Sequence, residues 1–208
     1  MTPDLRPAGR TALLATFDSL DAVVAFHAGL TGAGVPGVSE VVSGARTLLI
    51  RFDPARTDAT RLGTELARVH PLPVIAAGTE APLVIPVTYD GPDLDEVARL
   101  SGLQRADLVA WHTGQVWTSA FCGFAPGFSY LTGTAPALDL PRRPTSRTVV
   151  PSGAVALAGE FSAVYPRSSP GGWQLIGRTE VAMWSLDRDP PALAPAGTRI
   201  RFVDASPA

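Results

Sequence analysis

The sequence is poor in cysteine: Cys122 is the only one among 208 residues. A lone thiol excludes an intramolecular disulfide and a cysteine-rich zinc site, and it fits a reducing cytoplasm. Charge of one sign is equally scarce, with 17 Lys plus Arg against 19 Asp plus Glu and a formal net charge of -2. Without a basic excess or a block of like charges, nucleic acid is not an expected partner. No apolar run approaches the ~18 residues that span a bilayer. The start, Met1 to Pro7, lacks a charged region leading into an apolar stretch, so neither export nor a membrane partner is expected. A nucleophile elbow, a Walker loop, a zinc-helix motif and a dinucleotide fingerprint are all missing, and His27 and His70 have no companion at metal-ligand spacing. No metal site and no complete catalytic apparatus are legible.

What is present is a chain with 46% hydrophobic residues, enough for a sizeable core, punctuated by 20 Gly and 20 Pro. The first part alternates elements. Residues 11–16 read as a strand, and residues 18–30 place Leu20, Val23, Val24, His27 and Leu30 at helical spacing behind a cap at Asp18 or Ser19. Two β-rich runs, 38–42 and 47–52, flank the hairpin signal Ser43-Gly44-Ala45-Arg46. A second amphipathic helix over 57–69 sets Leu62, Leu66 and Val69 on one face. These predict a small α+β sandwich over residues 1–78, with a boundary where periodicity fails at 76–82.

The second part, 83–208, opens with a strand at 83–89, a helix from Asp93 ended by Gly102, and a helical turn at 105–111 before a strand at 115–121. From Cys122 onward short β segments recur at 148–150, 154–158, 163–165, 173–178, 181–186 and 198–203, separated by Gly- and Pro-rich turns. That spacing predicts a closed or nearly closed β-barrel without a parallel sheet. The predicted fold class is therefore α+β, a small sandwich followed by a barrel.

Two stretches are too unusual for ordinary turns. One is Gly123-Phe124-Ala125-Pro126-Gly127-Phe128-Ser129-Tyr130-Leu131, where aromatic residues alternate with residues that fix or free the backbone. The other begins at Pro141-Arg142-Arg143 and runs through Arg147, Val150-Pro151-Ser152-Gly153, Tyr165-Pro166 and Ser169-Pro170-Gly171-Gly172-Trp173 to Ile176-Gly177-Arg178-Thr179. With Tyr89-Asp90-Gly91-Pro92-Asp93-Leu94 and His112-Thr113-Gly114, these motifs resemble, in order and spacing, the family of the 5-oxoprolinase B subunits, KipI and allophanate hydrolase subunit 1. The resemblance covers nearly the whole chain.

It implies a cyclophilin-like barrel in the second part and a role as the B-type component of an ATP-dependent 5-oxoprolinase. Such an enzyme opens the 5-oxoproline lactam to glutamate with formation of ADP and phosphate. It also implies a larger C-type partner (KipA, or allophanate hydrolase subunit 2), a separate A-type subunit, and ATP bound jointly with the partner. The same family admits a KipI-type inhibitor of a sensor histidine kinase and a subunit acting on a urea-derived amide such as allophanate. One stretch departs from the family pattern: Ala158-Gly159-Glu160-Phe161-Ser162-Ala163 stands where members read Ala-Gly-Gly-Gln-Thr-Gly, so an aromatic ring replaces an amide.

The candidate site residues follow. His112 and Arg147 are candidate catalytic groups, the first for proton transfer or anion binding, the second for a phosphate or carboxylate. Arg142, Tyr130 and Ser152 are candidate substrate-binding groups. Each has a structural alternative: His112 can hydrogen-bond the loop after it, and the arginines can solvate a loop or face the partner. Phe124 and Phe128 read as residues that pack the loop, and Cys122 as a small buried apolar residue.

Overall fold

The computed structural model describes residues 3–72 and 81–206, which fall into two compact units, Met1–Ala76 and Ala77–Ala208. Most of the expected boundary at 76–82 lies outside the described residues. No helix among them is long and apolar enough to cross a membrane.

In the first unit the chain runs β1 (Asp4–Pro7), β2 (Ala12–Thr16), α1 (Leu20–Ala33), β3 (Val38–Ser43), β4 (Thr47–Phe52) and α2 (Ala59–Leu66). The strands form an antiparallel sheet in the order β1-β2-β4-β3. Strict alternation buries Leu48, Ile50 and Phe52 of β4 on one face, where they meet Leu13 and Ala15 of β2. Two helices cover that face with Val23, Phe26, Leu30, Leu62 and Leu66. Ser19 caps α1 by accepting from the Ala22 amide at 3.2 Å, and Asp58 caps α2 by accepting from the Arg61 amide at 2.9 Å. Each fully buried Leu or Phe contributes ~1.5–3 kcal/mol. The Arg6–Asp4 and Arg51–Glu40 pairs are more than half exposed, so ~0–1 kcal/mol is their range and the apolar layer holds the unit. The strand β1 is not legible in the sequence: it is a four-residue edge strand ending in Pro7, with no apolar alternation.

The second unit contains β5 (Leu83–Val87), α3 (Leu94–Ser101), α4 (Arg105–Thr113), β6 (Trp117–Cys122), β7 (Ser129–Gly133), β8 (Arg147–Val150), β9 (Ala154–Ala158), β10 (Phe161–Val164), β11 (Ser169–Gly171), β12 (Gln174–Arg178) and β13 (Arg199–Asp204). Seven strands form one sheet in the order β12-β9-β10-β7-β6-β13-β5. Its two ends meet: Thr88, just past β5, exchanges both backbone hydrogen bonds with Arg178 of β12 at 2.9 Å. The barrel is thereby nearly closed. Gly177 makes the seam, since a Cβ there would lie 2.5 Å from the Thr88 carbonyl oxygen.

Three details differ from what the sequence predicts. The pair β5–β13 is parallel, the one exception among the pairings of this sheet; the first and last strands of the unit lie side by side and are joined by the whole barrel, so no hairpin constrains their direction. Residues 181–186 form no strand, since among the described residues their only backbone pairing is a short one with residues 191–193. Arg188 donates to Ala182 O, and Trp184 has only an isolated bridge to Ala192. Conversely β7 and β11 are strands, although Gly133 and Pro170 make them read as loops.

Strand β9 is buried along its whole length. Val155 and Leu157 join the main core with Trp117, Leu131, Ile176, Ile200 and Phe202, and α3 and α4 add Leu94, Val97 and Leu108 to it. Ala154, Ala156 and Ala158 point the opposite way and join a second cluster with Phe128, Val150, Tyr165 and Trp173. Small side chains on the outer face of β9 thus leave room for an aromatic layer outside the barrel.

Candidate functional site

The aromatic layer opens into a cleft of about 140 Å³ lined by Phe124, Phe128, Tyr130, Arg142, Tyr165, Gly171, Gly172 and Trp173. Its wall is set by strand pairing. The β6–β7 ladder follows strict register from Trp117 to Ser119 and then shifts, so that Phe121 lies opposite Tyr130. This bulge turns Phe121 to the outer face, where it stacks on Tyr130 with centroids 4.3 Å apart and rings 14° from parallel. Tyr130 meets Trp173, Phe128 and Phe161 edge-on at 5.5, 5.1 and 5.6 Å. Such tilted contacts fix ring orientation as well as burying area.

The loop from Gly123 closes through Gly123 N to Phe128 O and Phe128 N to Ala125 O. It seats Phe128 in the floor, 1% exposed, and leaves Phe124 59% exposed at the rim. Across the cleft Gly171 packs on the Tyr165 phenol: a Cβ there would come 2.3 Å from the hydroxyl oxygen. Burial pushes the Tyr130 and Tyr165 phenols up; the Arg142 charge only partly opposes this at Tyr130, as do the Trp173 backbone hydrogen bond and then the Arg142 charge at Tyr165. Both therefore stay protonated and neutral at physiological pH. The exposed Arg142 forms no ion pair with any described acid.

Behind the cleft, Asp93 organises the arginine loop. Its carboxylate, 3% exposed, accepts from Arg143, from Arg147 at 2.8 Å and from the Leu175 amide at 2.7 Å. Burial alone would raise this carboxyl; the Arg147 and Leu175 hydrogen bonds and the charges of Arg147 and Arg143 outweigh it and hold it below the usual carboxylate range. One acid thus ties residues 143 and 147 to β12 and leaves Arg142, next in the chain, facing the cleft. Sequence reasoning offers Asp93 only as part of a motif. Its one local signal is a carboxylate at the start of a helix with no side-chain cap bond of its own.

The five candidates separate cleanly. Arg142 and Tyr130 line the cleft together. Arg147, expected as a catalytic cation, is engaged by Asp93 and is not among the lining residues. Ser152 is exposed and donates to Pro166 O at 3.1 Å, a local turn bond outside the cleft. His112, expected to transfer protons, is fully buried in the main core. Its Nδ1 lies 2.6 Å from the Tyr89 hydroxyl, its Nε2 2.9 Å from Ser162 Oγ, and its ring stacks on Phe202 at 4.4 Å. Burial lowers its pKa to about 3, so it is a neutral group with both nitrogens occupied and no route to solvent. Its carbonyl also accepts from Trp117 Nε1 at 2.9 Å, a further tie to the main core.

Cys122 is half-buried with Sγ 3.6 Å from Ser129 Oγ. Among the described residues no group of three or more His, Cys, Asp or Glu is placed to hold a metal ion. The cleft can therefore bind a small ligand through one guanidinium, two phenols and aromatic faces. Its lining contains no carboxylate, imidazole, thiol or amine to move a proton near neutral pH.

Residues 3–194 match the family described as carboxyltransferase domain, subdomain C and D. The 5-oxoprolinase B subunit of Bacillus subtilis (strain 168) is 42% identical over 122 residues, 57% of this chain and 51% of that protein. The chain thus spans about half the length of the curated relatives it matches. Among solved structures, TTHA0988 superposes with a TM-score of 0.76 at 34% identity, covering 99% of this chain and 41% of that one. The Kluyveromyces lactis urea carboxylase shares the fold, with a TM-score of 0.74 at 19% identity over 97% of this chain and 22% of that one. With its fold and motifs matched over this length, the chain belongs to the carboxyltransferase subdomain C and D family, the family of the 5-oxoprolinase B subunits.

Proposed function

We propose that this chain is the B-type subunit of an ATP-dependent 5-oxoprolinase and supplies the substrate-binding part of an active site completed by a larger C-type subunit. The observation that carries this reading is the composition of the cleft: groups that bind and orient, and none that performs acid–base or nucleophilic work. A site so built needs a partner for its chemistry, and the B-type relatives supply the kind of assembly. In it Arg142 holds the 5-oxoproline carboxylate, the Tyr130 and Tyr165 hydroxyls hydrogen-bond the polar edge of the ring, and the aromatic walls exclude water from its faces.

The cleft residues do not fit ATP. A volume of about 140 Å³ is far below the ~300–1,000 Å³ that drug-sized ligands occupy. The whole sequence contains no lysine, so a Walker-type loop, whose lysine contacts the phosphates, has no counterpart here. In this reading nucleotide binds outside this cleft, at a site shared with the C-type partner.

The test is to purify the chain with its C- and A-type subunits and measure 5-oxoproline-dependent ADP formation. Turnover is expected from the assembly and not from the chain alone. Arg142→Gln should lower turnover ~10-fold or more while the complex is recovered undiminished, because a charge-assisted contact to the substrate is lost. Glutamate release by the isolated chain, or full turnover in the variant, overturns the assignment.

A further inference from the structure

Phe124 occupies its place against two local preferences. Its ring is 59% exposed, whereas the Phe128, Tyr165 and Trp173 rings beside it are 1, 2 and 5% exposed. Its backbone sits at φ 69°, in the left-handed region that bulky side chains avoid and that glycine or asparagine would enter freely. An apolar ring kept in water on an unfavourable backbone is poorly explained by the free chain's stability, and such outliers concentrate where a ligand is gripped. Edge-on contacts to Phe128 at 5.1 Å and to Tyr165 at 6.2 Å hold the ring at the cleft rim.

We propose that Phe124 is a clamp that closes the cleft over the flat face of a small planar monocarboxylate, so that the cleft prefers a cyclic amide acid over its ring-opened dicarboxylate. This rests on reading the cleft as the substrate-binding part of a shared site. The ligand class follows from the lining. About 140 Å³ admits a molecule of roughly ten non-hydrogen atoms and no nucleotide. One guanidinium without an acidic partner, Arg142, matches one carboxylate. The remaining walls are five rings and the Gly171-Gly172 backbone, a flat slot that suits a lactam ring. Ring opening adds a second carboxylate and an ammonium, and the lining offers no acid for the ammonium and no second cation for the carboxylate. Desolvating those unpaired charges disfavours the product. The binding step thereby also favours release of what the reaction makes.

Calorimetric titration of the purified chain, alone and in its assembly, tests this with 5-oxoproline, glutamate and ATP as probes. The lactam should bind at least ~10-fold tighter than glutamate, and ATP should not displace it. Phe124→Asn, which suits the left-handed backbone, should weaken lactam binding ~10-fold with the melting temperature held within a few degrees, and Phe124→Tyr should restore binding. Unchanged lactam binding in Phe124→Asn, or a large drop in its melting temperature, overturns the clamp while leaving the enzyme reading in place. Equal binding of glutamate, or displacement by ATP, overturns the ligand class. If the wild-type chain binds no lactam while the assembly still turns it over, the clamp and the cleft assignment fall together. If the assembly shows no lactam-dependent turnover, the proposed function fails as well.

Discussion

Tyr89, His112 and Ser162 form a hydrogen-bonded row that on paper resembles a catalytic triad, whereas Tyr130, Tyr165 and Arg142 share a cleft without a base. The first row is sealed: His112 and Ser162 are both 0% exposed, and imidazole Nδ1 and Nε2 each have a partner. The second is open at Arg142, which is exposed and has no acid partner, and at the half-buried Tyr130, while Tyr165 is buried in its wall. Access to solvent, more than residue chemistry, separates architecture from binding here. A buried polar row that is fully satisfied contributes to a unique core, and one left open to solvent is free to take a ligand.

The largest expected effect breaks the sealed row. His112→Ala removes the stacked ring, strands the Tyr89 and Ser162 hydroxyls and leaves a cavity in the core. Urea unfolding should show a loss of about 3–5 kcal/mol. A loss below ~1 kcal/mol would show that the row is not structural, and the histidine would have to be reconsidered as a functional group.

The next effect reads the same residue through pH. The folded pKa of His112 is about 3, below its unfolded value of ~6.5. Between these values the unfolded chain takes up a proton that the native chain does not. The stability due to neutral burial is therefore complete above pH ~6.5 and falls by ~1.4 kcal/mol per unit as pH drops toward 3. Urea midpoints between pH 8 and 5 should be flat at first and then decline, and His112→Gln should remove most of the slope. An equally steep wild-type and variant profile would place the titration elsewhere, with His27, whose pKa burial also lowers, the first alternative.

The smallest effect sharpens the comparison at the cleft's support. Asp93→Asn leaves Arg143 and Arg147 without their shared counter-charge, at a cost of about 1–2 kcal/mol, because both arginine side chains are partly exposed, 33 and 21%. Since Arg142 is carried by the same loop, the variant should, under the proposed function, raise KM for 5-oxoproline in the assembly more than it lowers kcat. The sign with pH is the ordinary carboxylate one: the native carboxyl titrates below its unfolded value, so its contribution is present above pH ~4 and is lost as pH falls through the folded pKa. A kcat loss with KM unchanged would instead implicate the pair in the chemistry.

Much of the site is legible in the sequence as residue types and little of it as geometry. Arg142 and Tyr130 stand out because a cation and a phenol sit inside Gly- and Pro-rich motifs, and they do share the cleft. Arg147 carries the same signal, yet its place depends on Asp93, 54 residues away. His112 looks functional because it closes an apolar run before a glycine. That position is the end of α4, whose buried face also holds Leu108, and the run itself is the clue to burial.

By itself the sequence determined the α+β sandwich, the hairpin at 43–46 and the succession of short barrel strands, because periodicity and turn residues act locally. Even the double burial of β9 is written in its run of apolar residues, with alanines on one parity. Only the tertiary structure decided the rest. The bulge in the β6–β7 ladder carries Phe121 out to Tyr130, although alternation would place it with Trp117 and Ser119. Thr88 and Arg178 join the ends of the sheet, and Asp93 selects which arginines are held and which one faces the cleft. Each of these is a contact whose energy depends on register, desolvation and competition for partners, none of which a local pattern encodes.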